Sequence, residues 1–235
     1  MNDLEGRTAL ITGASRGVGA ALARQLDGRG VSLVLVSRSG DDLGIEGALA
    51  RSCDVRDGAG LEAAAAAAVE RFGGIDIAIA NAGIGAYGDF IAGDPAFDEE
   101  IIDVNVKGLL NTVRATLPAL EQSGAADLLC VASIAGQRAP EGEAVYAAAK
   151  HAQVGFMRSL DHELWSRGVR CSIVCPGGIA TDFAMGTGRS PGDPDLENFM
   201  SAEEVAATII HALDRPRTQR VLEMNVLPMA EDSMG

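Results

Sequence analysis

The chain has 235 residues, with 33 acidic and 19 basic side chains, a formal charge of −14 and 47% hydrophobic residues. An acidic surface of that size argues against a general binder of nucleic acid or of anionic membrane. No run of about 18 apolar residues occurs, so nothing reads as a membrane span. The length fits a single α/β domain over 1–235. Aromatic residues are only 4%, so one sizeable core must be built from Ala, Val, Leu and Ile.

In chain order, Arg7 to Thr12 is a short apolar run ending in Gly13, which predicts a first strand. Val18, Ala21, Leu22 and Leu26 follow at helical spacing, closed by Gly28 and Gly30. Val31 to Val36 reads as a second strand, and Asp41 to Gly47 as a polar loop too short for a crossover helix. Leu49 to Cys53 is a brief third strand. Residues 57–72 are helical, with six alanines at 63–68 that favour helix and close packing. A fourth strand is expected over Ile75 to Ala80. Residues 96–122 read as one or two helices joined near Val104-Asn105, with Pro118 kinking or ending the second. Leu128 to Ala132 is a fifth strand, 144–166 a long helix and Val169 to Val174 a sixth strand. A Gly/Pro/Asp-rich loop runs over about 182–199. Ser201 and Glu204 then form a capping box for a helix over 201–214, and Val221 to Leu227 closes as a last strand. This alternation predicts a parallel sheet of about seven strands, wound with helices on both faces.

Cys53, Cys130, Cys171 and Cys175 form no CxxC pair and read as reduced, buried thiols. His151, His162 and His211 share no spacing with acids or cysteines that would hold a metal, so none is expected. Met1-Asn2-Asp3-Leu4-Glu5 shows neither the basic start nor the apolar stretch of a signal peptide, so a cytoplasmic protein is the expectation.

Chemistry can sit at three places. Thr12-Gly13-Ala-Ser15-Arg16-Gly17-Val18-Gly19 lies where the first strand meets the first helix. Glycines there admit a pyrophosphate to the backbone, and the helix N-terminus adds a partial positive charge. The second strand ends in Ser37-Arg38 rather than in the carboxylate that would hold a ribose 2′-hydroxyl. Arg16 and Arg38 suit a 2′-phosphate, which favours NADP(H) over NAD(H), although Asp41 and Asp42 could offset them. Tyr146 and Lys150 share one face of the long helix. An ammonium held there should lower the phenol's pKa from about 10 toward neutrality and fit it for proton transfer.

Taken together, Thr12–Gly19, Asn81-Ala82-Gly83, Asn105, Ser133, Tyr146, Lys150 and Pro176-Gly177 resemble the short-chain dehydrogenase/reductase family over about residues 7–182. The resemblance implies a Rossmann-type fold and an oxidoreductase acting on small or medium carbonyl or alcohol substrates. It implies Tyr146 as acid/base, Lys150 lowering its pKa and holding the nicotinamide ribose, and Ser133 holding the substrate oxygen. Asn105 would hold a water linked to Lys150. Gly13, Ser15, Arg16, Gly17, Val18 and Gly19 would cradle the phosphates, and Ser37 and Arg38 would meet the adenosine ribose. Asp54 and Val55 would lie at the adenine, and Asn81, Ala82 and Gly83 along the nucleotide. Pro176, Gly177, Ile179 and Thr181 would border the nicotinamide.

Ile84, Ile134, Ala135, Gly178 and the 182–199 loop are expected to wall the substrate pocket. Arg138 is expected to pair with Glu141 or Glu143, or to meet a substrate carboxylate. A homodimer or homotetramer is implied, with no nucleic-acid or membrane partner. The C-terminal Arg220–Met229 stretch lacks the closing glycine pair of acyl-carrier-protein ketoreductases and, with Ser133-Ile-Ala-Gly136, looks more like the branch acting on small hydroxy acids, hydroxy amino acids or assorted ketones, while a 3-oxoacyl ketoreductase is kept as an alternative reading. A non-catalytic NADP(H) sensor on the same scaffold is another. An epimerase or dehydratase is disfavoured by length and glycine spacing, and an enoyl reductase by the Tyr–Lys spacing.

Overall fold

A computed structural model of the protein describes residues 4–232, so Met1–Asp3 of the N-terminal reading lie outside the described residues. The strands are β1 (Thr8–Thr12), β2 (Ser32–Ser37), β3 (Leu49–Ser52), β4 (Ile77–Ala80), β5 (Asp127–Val131), β6 (Arg170–Pro176) and β7 (Glu223–Val226). They form one seven-stranded parallel sheet in the order β3-β2-β1-β4-β5-β6-β7. The helices are α1 (Gly17–Asp27), α2 (Gly58–Phe72), α3 (Pro95–Ile102), α4 (Gly108–Leu120), α5 (Ala144–Leu164) and α6 (Ala202–Leu213).

β1, β2, β4, β5 and β6 are buried almost throughout, as apolar runs without polar alternation require of strands covered on both faces. The single core expected from composition is therefore divided by the sheet into two layers. Leu22, Leu26, Ile209 and Leu213 of α1 and α6 pack with Ile11, Leu33 and Ile77 on one face. Leu61, Ala64, Leu109, Val113, Val154 and Met157 of α2, α4 and α5 pack with Leu10, Val34 and Leu128 on the other. The expected join near Asn105 is a π-helical turn, Asp103–Lys107, between α3 and α4. Pro118 falls near the end of its helix, as expected. It stands inside α4, which stops at Leu120, so the missing N–H costs one bond near an end that frays anyway. Ser201 caps α6 with Glu204 in the expected reciprocal box.

Strand order reverses between β1 and β4, so the chain leaves their carboxyl ends toward opposite faces and opens a crevice there. That topology places the site.

Candidate active site

A cleft of about 750 Å³ runs across the carboxyl ends of the strands. It brings together Gly13, Ser15, Arg16, Gly17, Val18, Ser37, Arg38, Asp54, Val55, Asn81, Ala82, Gly83, Ser133, Tyr146, Lys150, Pro176, Gly177, Ile179 and Thr181. Gly19 and Asn105, singled out with them, lie behind its wall. A Cβ on Gly19 would fall 2.3 Å from the Gly13 carbonyl, so Gly19 lets α1 start against the turn.

At one end of the cleft the backbone does the shaping. Gly13 and Gly17 adopt left-handed φ values of 66° and 53°, which side chains rarely tolerate. Asn81 Nδ2 donates to the Thr12 and Gly13 carbonyls at 3.0 and 3.2 Å, and the Asn81 and Ala82 N–H groups donate to Thr12 Oγ1. This lattice fixes the loop in front of α1. The helix begins with no side-chain cap and no acidic residue in its first turn, so its positive end is uncompensated. Arg16 and Arg38 are exposed and in no ion pair among the described residues. Asp41 and Asp42 form no ion pair with them among the described residues; their carboxylates accept from Leu43 and Gly44 N–H in their own loop. Asp54 is gripped by Arg56 at 2.7 and 3.0 Å, and that bond holds its carboxyl below the usual range. An uncapped helix end, a glycine turn and two unpartnered guanidiniums fit a phosphorylated dinucleotide.

At the other end side chains do the work. Ser133 follows β5 in extended conformation, accepts from Ala135 N–H at 3.1 Å, and lines the cleft beside Tyr146. Tyr146 lies in the first turn of α5, with Tyr87 edge-on at 6.2 Å and Phe183 tilted at 5.6 Å. The expected lowering of the Tyr146 pKa is reversed. Burial pushes the phenol up, Tyr87 adds to it, and the neighbouring Ser133 side chain opposes only part. Spacing put Lys150 on the same face but could not say where its ammonium ends. Nζ lies 5.6 Å from the Tyr146 ring centroid and donates to the Val131 carbonyl at 3.2 Å and to Gln153 Oε1 at 3.0 Å. Burial depresses Lys150 to about 8, with Cys130 and Cys175 opposing.

Gln153 is the residue the sequence reading passed over. It is 2% exposed, and its Nε2 donates to the Asn105 carbonyl at 2.7 Å, so one amide ties Lys150 to the π-turn. The available signal was a polar residue three positions after Lys150 and seven after Tyr146, on a stripe that is otherwise buried. Asn105 is itself fully buried, with Nδ2 donating to the Ile84 and Ile101 carbonyls at 2.8 Å. Its Oδ1 has no partner among the described residues and would contact any Cβ on Gly83.

Arg138 pairs with neither Glu141 nor Glu143. Its partner is Glu231, 93 residues on, whose other oxygen accepts from Gly178 N–H at 2.8 Å. The C-terminal segment is thus pinned over Gly177-Gly178, a long-range contact no local pattern encodes. Glu143 is left against burial that pushes its carboxyl up, with Arg138 opposing. Ile84, Ile134 and Gly178 line the cleft as expected, but Ala135 packs beneath Tyr146 instead. Tyr87, Phe183 and Phe199, with Arg189 over Tyr87 and Phe199 at 5.3 and 5.1 Å, add aromatic walls that were not foreseen.

The family model described as short chain dehydrogenase matches residues 7–191. The chain belongs to the short-chain dehydrogenase family and is an oxidoreductase of that class. Among its relatives, Oxidoreductase UcpA of Salmonella typhimurium is 37% identical over 210 residues, 86% of this chain and 80% of the relative. An uncharacterized oxidoreductase of Staphylococcus haemolyticus is 32% identical over 242 residues, 97% of this chain and 100% of the relative. The fold is also that of an alcohol dehydrogenase from the archaeon Thermococcus sibiricus complexed with 5-hydroxy-NADP, with TM-score 0.87 and 29% identity over 97% and 99% of the two chains. A Mycobacterium paratuberculosis short chain dehydrogenase bound to NAD superposes with TM-score 0.83 at 28% identity, covering 95% and 97%.

Proposed function

We propose that the protein is an NADP(H)-dependent reductase of small or medium carbonyl compounds, reversible as an alcohol dehydrogenase. The observation that carries this reading is that Ser133 and Tyr146 line the same cleft as Lys150 and the two unpaired arginines. When bound, the nicotinamide supplies the hydride. The chain's part is to hold the substrate oxygen and give it a proton. Ser133 Oγ holds that oxygen as charge develops on it. The Tyr146 hydroxyl delivers the proton, and a phenol raised by burial stays protonated through the neutral range, which suits reduction. Lys150 holds the ribose, with its ammonium fixed by Val131 and Gln153. Asn105 and Gln153 position that lysine from the π-turn and from α5.

Gly13, Ser15, Gly17, Val18 and Gly19 form the phosphate turn, with Arg16, Ser37 and Arg38 at the 2′-phosphate. Asp54 and Val55 lie at the adenine, Asn81, Ala82 and Gly83 along the nucleotide, and Pro176, Gly177, Ile179 and Thr181 at the nicotinamide. The 182–199 loop covers the substrate in a domain spanning 1–235. NADP-bound relatives of this fold, among them the Thermococcus sibiricus enzyme, support the coenzyme assignment, while the NAD-bound relative makes a direct comparison of the two necessary. β7 is an edge strand with open ladder groups, which favours a homodimer or homotetramer, checked by light scattering.

The test is a carbonyl panel followed by NADPH absorbance, with Tyr146→Phe beside the wild type. The expected loss of turnover is about 10²- to 10⁴-fold with NADPH binding retained. A fully active Phe variant removes the mechanism. Binding of NADPH with no turnover on any carbonyl would leave a nucleotide sensor.

A further inference from the structure

The end of the sheet opposite the cleft holds a second cavity, of about 300 Å³, lined by Arg7, Arg170, Arg215 and Arg217 with Ala125 and Leu213. Arg7 precedes β1 and Arg170 opens β6, while Arg215 and Arg217 follow α6. In a chain of net charge −14, four guanidiniums around one small cavity need an explanation.

Structural pairing explains only part of it. Asp127, 3% exposed at the start of β5, accepts from Arg7 at 2.7 Å, from Arg170 at 2.6 and 3.1 Å, and from Arg217 at 3.2 Å. Arg170 spends its remaining donors on the carbonyls of Leu213, Arg215, Pro216 and Gln219. Asp76, beside Arg7, is engaged by Thr8 N–H and the Ser123 hydroxyl. Among the described ion pairs, Asp127 is the carboxylate that these guanidiniums share. Arg215 makes no side-chain hydrogen bond or ion pair among the described residues. The Nε–H groups of both Arg7 and Arg215 are buried without an acceptor among the described residues. Buried donors are rarely left without a partner, so two at one cavity mark an arrangement that the described residues do not complete. Burial lowers the Arg217 pKa; Asp127 opposes, and Arg170 and Arg7 add to the lowering.

We propose that this cavity is an anion site, separate from the cleft, that takes a compact phosphate-type dianion on the free donors of Arg7 and Arg215. Guanidinium donors suit phosphate oxygens, and four of them line this cavity. The source is inorganic phosphate or the phosphoryl end of a small metabolite, which share that chemistry.

The test is calorimetric titration of the full-length protein with sodium phosphate at constant ionic strength, comparing wild type with Arg215→Gln. Cleft cations are the same in both proteins, so only the difference reads this cavity. The wild type should bind at least about tenfold more tightly, the loss expected of one charge-assisted contact, and Arg215→Gln should leave carbonyl turnover unchanged. Arg215→Lys, which keeps the charge and loses the fork, should fall between them and serves if the Gln protein folds poorly. A parallel titration with glycerol 3-phosphate assigns the source: competition with phosphate indicates a phosphoryl metabolite, and its absence the free ion. Equal affinity in wild type and both variants, or no saturable binding by the wild type, overturns the proposal.

Discussion

The two ends of the β-sheet use arginine in opposite ways. At the carboxyl ends of the strands, Arg16 and Arg38 stand exposed and unpaired beside a glycine turn that leaves α1's positive end uncompensated. At the amino ends, Arg7, Arg170 and Arg217 converge on the buried carboxylate of Asp127 and knit β1, β5, β6 and the chain after α6 together. The first arrangement costs little stability, because solvent screens the charges, and it leaves them ready for a ligand. The second holds charge in a poorly solvated place, where removal of one partner strands the rest. Function and stability are thereby assigned to different edges of one sheet.

The largest effect should come from breaking the second arrangement. Asp127→Ala leaves three guanidiniums facing one another without their common acceptor. Loss of a partner from a buried pair typically costs about 3–5 kcal/mol, and urea denaturation should show a destabilisation of that order. A change within about 0.5 kcal/mol would mean that the carbonyls around Arg170 hold the strands together without the carboxylate.

The same question asked of the first arrangement should give no stability change but a coenzyme effect. Arg16→Gln and Arg38→Gln are each expected to weaken NADPH about tenfold, the loss of one charge-assisted contact, and to leave NADH nearly unaffected. Fluorescence titration with both coenzymes reads this directly. Equal losses for NADPH and NADH would mean that the guanidiniums do not read the 2′-phosphate.

How much of each end could be read from sequence follows the same division. The glycine turn, Ser37-Arg38, Asn81–Gly83 and the Tyr146–Lys150 spacing are local patterns, and the structure gathers them in one cleft. The parallel sheet of about seven strands followed from apolar runs alternating with helical periods, but its strand order did not. What escaped was non-local. The pairing of Arg138 with Glu231 spans 93 residues, and the Asp127 cluster draws on four separate segments. The direction of the Tyr146 pKa failed for a related reason: spacing fixes a helix face, while burial depends on Tyr87 and Phe183 arriving from elsewhere. The opposing charge was assigned to Lys150 from its position alone, whereas its ammonium is held by Val131 and Gln153.

Gln153 supplies the smallest and most discriminating prediction, because it acts inside the catalytic end without facing the cleft. Its Oε1 accepts from the Lys150 ammonium, and an acceptor on the charged form stabilises that form. Gln153→Leu keeps the volume and removes the acceptor, so the Lys150 pKa should fall further below about 8. Where the wild-type profile of kcat/KM for reduction breaks near that value as the ammonium deprotonates, the variant's break should move to lower pH. At pH 7 the loss should be modest, about fivefold, equivalent to about 1 kcal/mol. Gln153→Glu should move the break the other way, because a carboxylate favours the ammonium more than an amide does. A purely structural Gln153 would lower activity at every pH without moving the break, so the direction of movement, more than the size of the loss, decides whether this amide tunes the lysine.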